Sequence, residues 1–155
     1  MSDYRLRAAT AADQDALVHQ RVAMFQDMGI AFDAAAVGEE YRAWLLLHLD
    51  AGDYRSWVIE TPDGTVVAGG GLSILPWPPG PRYPGGRVAF VYNVYTEPEH
   101  RARGLARRLM DAIHAFCRDH GITNVALNAS RFGQPLYESM GYAVTTSPMM
   151  FLSLE

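Results

Sequence analysis

Arg101, Arg103, Arg107 and Arg108 crowd around Gly104 and Ala106. The order Arg101-x-x-Gly104-x-Ala106 stands at the head of a segment in which Leu105, Leu109, Ala112, Ile113, Phe116 and Cys117 recur at three- and four-residue steps. That periodicity is a helix with one apolar stripe. Gly121, after Arg118 and His120, occupies the place of a C-terminal glycine cap. The N-terminus of a helix is already positive, so cations gathered there oppose the dipole by a few tenths of a kcal/mol each. A bound polyanion resolves that conflict. Free backbone N–H groups, the dipole and guanidinium forks then converge on phosphate. Gly104 and Ala106 carry no bulky side chain, so the backbone can come close to such a ligand.

Such a turn needs a strand to lead into it. Val88 to Thr96 is β-branched and aromatic, and Glu97-Pro98 ends it. Upstream, Tyr4 to Ala9 alternates as a first strand. Thr10 is placed as an N-cap, with Asp13 three residues on in a capping-box position. Ala11 to Met28 follows as a helix with Leu17, Val18, Met24, Phe25 and Met28 on one face, and Gly29 ends it. Ala34 to Asp50 is a second helix with Val37, Tyr41, Trp44 and Leu45 inward. Tyr54 to Thr61 and Thr65 to Leu75 read as a hairpin around Pro62-Asp63-Gly64. Gly69-Gly70-Gly71 predicts a bulge or a close backbone approach in its second strand. Pro76 to Gly86, with five prolines and three glycines, is a surface loop. Downstream come a short buried strand at Val125 to Asn128 and a short helix at Gln134 to Met140, with Pro135 tolerated in its first turn. Further strands are expected from Gly141-Tyr142 and over Met149 to Leu154. The fold class is α/β with a mixed sheet: a hairpin, then βαβ units.

The chain has 155 residues, 49% of them hydrophobic and 19% charged, with a net charge of −4. This is one domain over 1–155 with room for a real core. The negative charge argues against a general nucleic-acid surface. All 13 basic residues are arginine. The single Cys117 excludes an internal disulfide and sits on the apolar stripe as a small hydrophobe. No secretory leader and no membrane-length apolar run is read, so the expected location is cytoplasmic. No metal is expected.

Strand, arginine turn and helix in this order resemble the acetyl-CoA site of the GNAT superfamily of N-acetyltransferases, whose signature is Gln/Arg-x-x-Gly-x-Gly/Ala. A second match lies about thirty residues on. Leu136-Tyr137-Glu138-Ser139-Met140-Gly141-Tyr142 fits the family's Leu-Tyr-x-x-x-Gly-Phe/Tyr. The order of elements also matches that of the family over nearly the whole chain.

The resemblance implies acetyl-CoA as cofactor and a GNAT-like fold with about four helices. It places pyrophosphate on the backbone of Ala102, Arg103, Gly104, Leu105, Ala106 and Arg107, with Arg101 and Arg107 the preferred outer phosphate contacts. Pantetheine would pair with the main chain of Val94, Tyr95 and Thr96 as an added strand does, and a backbone N–H near Val94 would receive the thioester carbonyl. Tyr137 takes the family's general-acid position, where a phenol of pKa near ~10 can protonate a departing thiolate. The family's asparagine and alanine, seven and four residues before that tyrosine, are here Ser130 and Gly133. Ser130 keeps a hydrogen-bonding hydroxyl, and Asn128 is a second polar candidate.

The implied reaction is acetyl transfer to a primary amine of a small molecule or peptide by direct attack. A non-catalytic acyl-CoA-binding module is the alternative, because Phe90 to Asn93, where some members carry a glutamate, holds no carboxylate. The base stays open between water relayed by Tyr92 or Asn93 and a carboxylate of the first two helices. Asp27, Asp33, Glu39 and Glu40 could receive a cationic amine, or simply form a solvated helix face. A homodimer is possible by analogy.

Overall fold

Five strands and four α-helices organise the computed structural model, which describes residues 3–155. The sheet runs β1 (Arg5–Ala8), β2 (Tyr54–Glu60), β3 (Val66–Pro76), β4 (Arg87–Thr96), β5 (Val125–Leu127), in that spatial order. The first four strands pair antiparallel, and β5 lies parallel to β4. Helices α1 (Gln14–Asp27) and α2 (Ala34–Ala51) cover one face of the sheet. There Leu17, Val18, Tyr41 and Leu45 pack on Tyr54 and Val58. Helix α3 (Leu105–Asp119) covers the other, through Met110, Ile113 and Cys117 on Leu72, Ala89 and Val91. Its first turn adds Leu105 and Leu109 against Ile59, Val67 and Ala68. A six-residue helix α4 (Gln134–Ser139) brings Tyr137 against the α3 layer.

The local signals act as expected at the entry to the first helix. Thr10 and Asp13 form the capping box around a short 3₁₀ turn at Ala11–Asp13, and α1 continues from it. Asp33 caps α2, accepting from Ala36 N at 3.0 Å. Gly121 ends α3 with φ 67°. Met110, absent from the expected stripe, is fully buried on α3, while Met28, expected inward on α1, is 54% exposed just beyond that helix.

Two expectations for the C-terminal part are corrected. Neither Gly141-Tyr142 nor Met149 to Leu154 is a strand; the last strand is β5. Gly141 takes φ 99°, which turns the backbone out of the extended region after α4. Tyr142 then folds back: its N–H donates to Tyr137 O at 3.0 Å, and its hydroxyl lies 2.7 Å from His114 Nε2 on α3. Met149 to Leu152 is apolar at every position rather than alternating, which marks composition without specifying a register. Those side chains stay exposed, with no ladder formed among the described residues.

The glycine triplet in β3 has three separate reasons. A Cβ at Gly69 would collide with Gln20 Oε1 of α1, and one at Gly71 with the Tyr54 hydroxyl. At Gly70 it would come within 3.3 Å of Val94 Cγ2. Gly71 pairs with Tyr92 and Gly69 with Tyr95, so Asn93 and Val94 together oppose Gly70. This is a β-bulge, and it lies in the strand that leads to the arginine turn.

Candidate active site

The β4–β5 ladder is short. It joins Ala89 to Val125, Phe90 to Ala126 and Val91 to Leu127, and stops there. β4 continues to Thr96. From Tyr92 onward its edge on the β5 side has no strand partner among the described residues, so one row of backbone donors and acceptors lies open beside the bulge. Val94, Tyr95 and Thr96 are in this row. Val94 packs toward α3, and Tyr95 is 7% exposed.

The open edge runs into the turn before α3. Ala102 has φ 59° and Gly104 φ 78°. Left-handed backbone costs an alanine roughly 1 kcal/mol, and no side-chain hydrogen bond at Ala102 compensates it. Such alternation of backbone hands turns successive N–H groups toward one concavity suited to anions. Nothing lies within 4 Å of a Cβ built on Gly104, so the space above that residue is open to a ligand. Leu105 faces the opposite way, buried at 2% exposure, and fixes the helix start to the core. Ala106 is half-buried in the same turn.

The four arginines have separate employments. Arg101 Nη2 meets Asp27 Oδ2 at 2.6 Å, its Nε donates to Thr96 O at 2.8 Å, and it lies over the Tyr95 ring. Arg107 Nη2 donates to Ser139 Oγ at 2.6 Å, tying α3 to α4, and Arg108 donates to Tyr4 O. Arg103 is exposed, without a side-chain hydrogen bond or ion pair among the described residues. Backbone N–H groups and Arg103 are therefore the groups in this turn most available to phosphate, with Arg107 near the α4 side.

Tyr137 lies beyond β5, its ring edge-on to Tyr142 at 5.8 Å and packed against the α3 layer. Burial pushes its phenol above the ordinary value of about 10. Its hydroxyl has no protein partner among the described residues. Ser130 Oγ accepts from Gly133 N at 3.1 Å, so it closes the turn that starts α4. A Cβ at Gly133 would lie 2.9 Å from Tyr137 Cε2, which accounts for glycine there. Asn128 is exposed just past β5. Cys117 is buried in the α3 layer, and desolvation raises its thiol pKa, the opposite of an activated nucleophile.

On the α1–α2 side the bulge carries a polar cluster. Asn93 has φ 63° and is 8% exposed. Its Nδ2 donates to the hydroxyls of Tyr41 at 3.0 Å and Tyr54 at 2.9 Å, and its Oδ1 accepts from Arg21 Nη1 at 2.7 Å. Burial holds both phenols well above their usual range. Asn93 is thus fully occupied by structural partners. Arg21 and Tyr54 were not singled out from sequence, and Tyr41 only as an inward residue of the second helix. The available signal was an asparagine, a poor strand former, in mid-strand and opposite three glycines.

A family model described as "Acetyltransferase (GNAT) family" matches residues 21–142. The chain belongs to the GNAT acetyltransferase family. Among solved structures, a GCN5-related N-acetyltransferase of Ralstonia eutropha JMP134 is 35% identical, with TM-score 0.87 over 96% of this chain and 98% of that one. A predicted acetyltransferase of Clostridium acetobutylicum, solved with acetyl-CoA, is 24% identical with TM-score 0.88, covering 96% of each chain, and supports the fold. Mouse "Probable N-acetyltransferase family 8 member 5" is 30% identical over 92 residues, which is 57% of this chain and 38% of the mouse protein. The chain matches well under half the length of that relative. The GNAT order of strand, arginine turn and helix is therefore the frame in which the open edge of β4 and Tyr137 sit.

Proposed function

We propose that this GNAT protein is an N-acetyltransferase that uses acetyl-CoA to acetylate a primary amine of a small molecule or peptide. The observation that carries the reading is the unpaired edge of β4 running into the left-handed turn at Ala102 and Gly104. An extended amide-bearing chain fits the edge as an added strand. A pyrophosphate fits the converging N–H groups of Ala102 to Arg107 and the positive end of α3. Acetyl-CoA, when bound, supplies the activated acyl group as a thioester.

The chain's own residues then have distinct roles. Val94 N–H, at the bulge, is the donor for the oxyanion that develops on the thioester carbonyl. The acceptor amine attacks directly, since Cys117 is buried within the α3 layer with its thiol pKa raised by desolvation, and cannot serve as an intermediate carrier. Tyr137 holds its proton through the working range because burial raises its pKa; it delivers that proton to sulfur as the thiolate leaves, and the proton shed by the amine nitrogen returns to the phenolate through water. Asn128, exposed just past β5, and Ser130, in the turn before α4, are the proposed polar contacts for the cofactor's amide arm.

Titration calorimetry with acetyl-CoA, CoA lacking the 3′-phosphate and adenosine tests the binding half. Affinity should fall as phosphates are removed. Tyr137→Phe tests the chemical half: kcat should drop about 10²- to 10⁴-fold with acetyl-CoA affinity kept. The wild-type rate should show no alkaline limb from this phenol below about pH 10, because a raised pKa keeps the acid form present up to that point. An unchanged kcat in Tyr137→Phe removes the general-acid role.

A further inference from the structure

Resting on the acetyltransferase reading, we infer that Arg21 receives a carboxylate of the acceptor, so that the substrate class is amines that also carry a carboxylate. Three observations converge. First, Arg21 is half-buried between α1 and α2, its guanidinium carbon 4.7 Å from the centre of the Phe25 ring and 5.3 Å from that of Tyr41. A cation taken partly out of water is normally paired. Arg7 and Arg42 follow that rule, meeting Asp13 and Glu60, and Asp15, while half-buried Arg108 donates to the Tyr4 carbonyl instead. Arg21 has no carboxylate within ion-pair distance among the described residues. One N–H goes to the neutral Asn93 Oδ1, and a guanidinium has five.

Second, the acidic residues that a cationic acceptor would need on this side are committed or solvated. Asp27 is held by Arg101, Asp33 caps α2, and Glu39 and Glu40 are exposed. Tyr41 and Tyr54, the other polar groups of the cluster, are neutral phenols. The unneutralised charge of the cluster is therefore positive.

Third, that charge is attached to the reacting strand. Arg21 bonds Asn93, and Asn93 precedes Val94, whose N–H is the proposed oxyanion donor. Asn93 is held in a left-handed conformation by Arg21, Tyr41 and Tyr54 together. A guanidinium presents a planar fork that matches a carboxylate with two parallel hydrogen bonds. A carboxylate there would leave an amine a few bonds away on the acceptor side of β4.

The test measures acetyl transfer from acetyl-CoA to α-, β- and γ-amino acids and to the corresponding amino acid amides. It uses the wild-type protein, Arg21→Gln and Arg21→Lys. Glutamine retains an N–H for Asn93 Oδ1, and thermal melting confirms that each variant folds. Wild-type protein should favour acids over their amides by roughly 10- to 100-fold in kcat/KM, the range for a charge-assisted hydrogen-bonded pair. Arg21→Gln should bring that ratio close to one, and Arg21→Lys should retain part of it. Equal rates on acids and amides in the wild-type protein overturn the inference. So does an Arg21→Gln variant that slows both alike with the ratio preserved, which is the signature of a purely structural residue. Acetyl-CoA binding without transfer to any member of the panel overturns it as well. Failure of acetyl-CoA to bind, read separately by calorimetry, overturns the acetyltransferase reading and this inference with it.

Discussion

At Gly133 a single hydrogen atom decides where Tyr137 stands. The backbone there has φ −84°, which alanine adopts without strain. The obstacle is steric: the added carbon would lie 2.9 Å from Tyr137 Cε2 and 3.2 Å from Ser130 Oγ. The tyrosine ring is backed by the α3 layer and cannot yield freely. Gly133→Ala should therefore cost about 1–3 kcal/mol of stability, as overpacking does, while losing roughly 10- to 100-fold in kcat, as expected when a reacting group is displaced by a fraction of an ångström to one ångström. Full activity would show slack around the ring. The nearness of these residues was legible in the sequence because it is local: Tyr137, Gly133 and Ser130 lie within one turn and a short helix. The Arg21–Asn93 bond spans 72 positions and the Asn93–Tyr41 bond 52. No short-range pattern announces such a cluster, and only the odd asparagine in a strand hinted at it.

Among the elements, the entry to α1 shows how a cap can also serve the sheet. Asp13 accepts from Thr10 N at 2.8 Å, closing the capping box. It also takes two hydrogen bonds from Arg7 of β1, at 2.9 and 2.8 Å, while Arg7 Nε reaches Glu60 of β2 at 3.0 Å. The Arg7 guanidinium, foremost, holds the Asp13 carboxyl below the usual carboxylate range, against a smaller opposing effect of burial. A depressed folded-state pKa contributes stability above the unfolded value of about 3.9, and that contribution is lost as pH falls toward the folded-state value. Asp13→Asn should cost about 2 kcal/mol at neutral pH, from the lost charged hydrogen bonds. For a chain of this size that corresponds to roughly 4–8 °C in melting temperature. The gap between variant and wild type should narrow below pH 4; a gap independent of pH would remove the ionic account. The capping box was readable from Thr10 and Asp13 alone. The strands missing after β5 mark the opposite case. An apolar run shows that a segment seeks burial, but the ladder that would make it a strand depends on which edge it meets.

Across the molecule, the sheet separates two apolar layers that do not touch. Leu45 on α2 and Ile113 on α3 are both completely buried, each in a different cluster. Leu45→Ala should cost about 2–5 kcal/mol and Ile113→Val about 0.5–1.5 kcal/mol. The double variant should show the sum to within about 0.5 kcal/mol, since sites without shared partners behave independently. A larger departure, measured by denaturant unfolding, would mean that the layers communicate through the strands. The layered plan itself was legible from hydrophobic periodicity, because a stripe repeated every three to four residues needs a surface to cover.

Helix α1 crosses that plan in a way the layers do not. It touches the bulge through Arg21, the end of β4 through His19 and Glu97 at 2.8 Å, and the arginine turn through Asp27 and Arg101 at 2.6 Å. One rigid rod thus reports on both proposed substrates. If filling the turn shifts Asp27, Arg21 must respond, and the two ligands bind with linked free energies. Thermodynamic linkage then requires reciprocity: whatever factor acetyl-CoA applies to the affinity for the acceptor, the acceptor applies to acetyl-CoA.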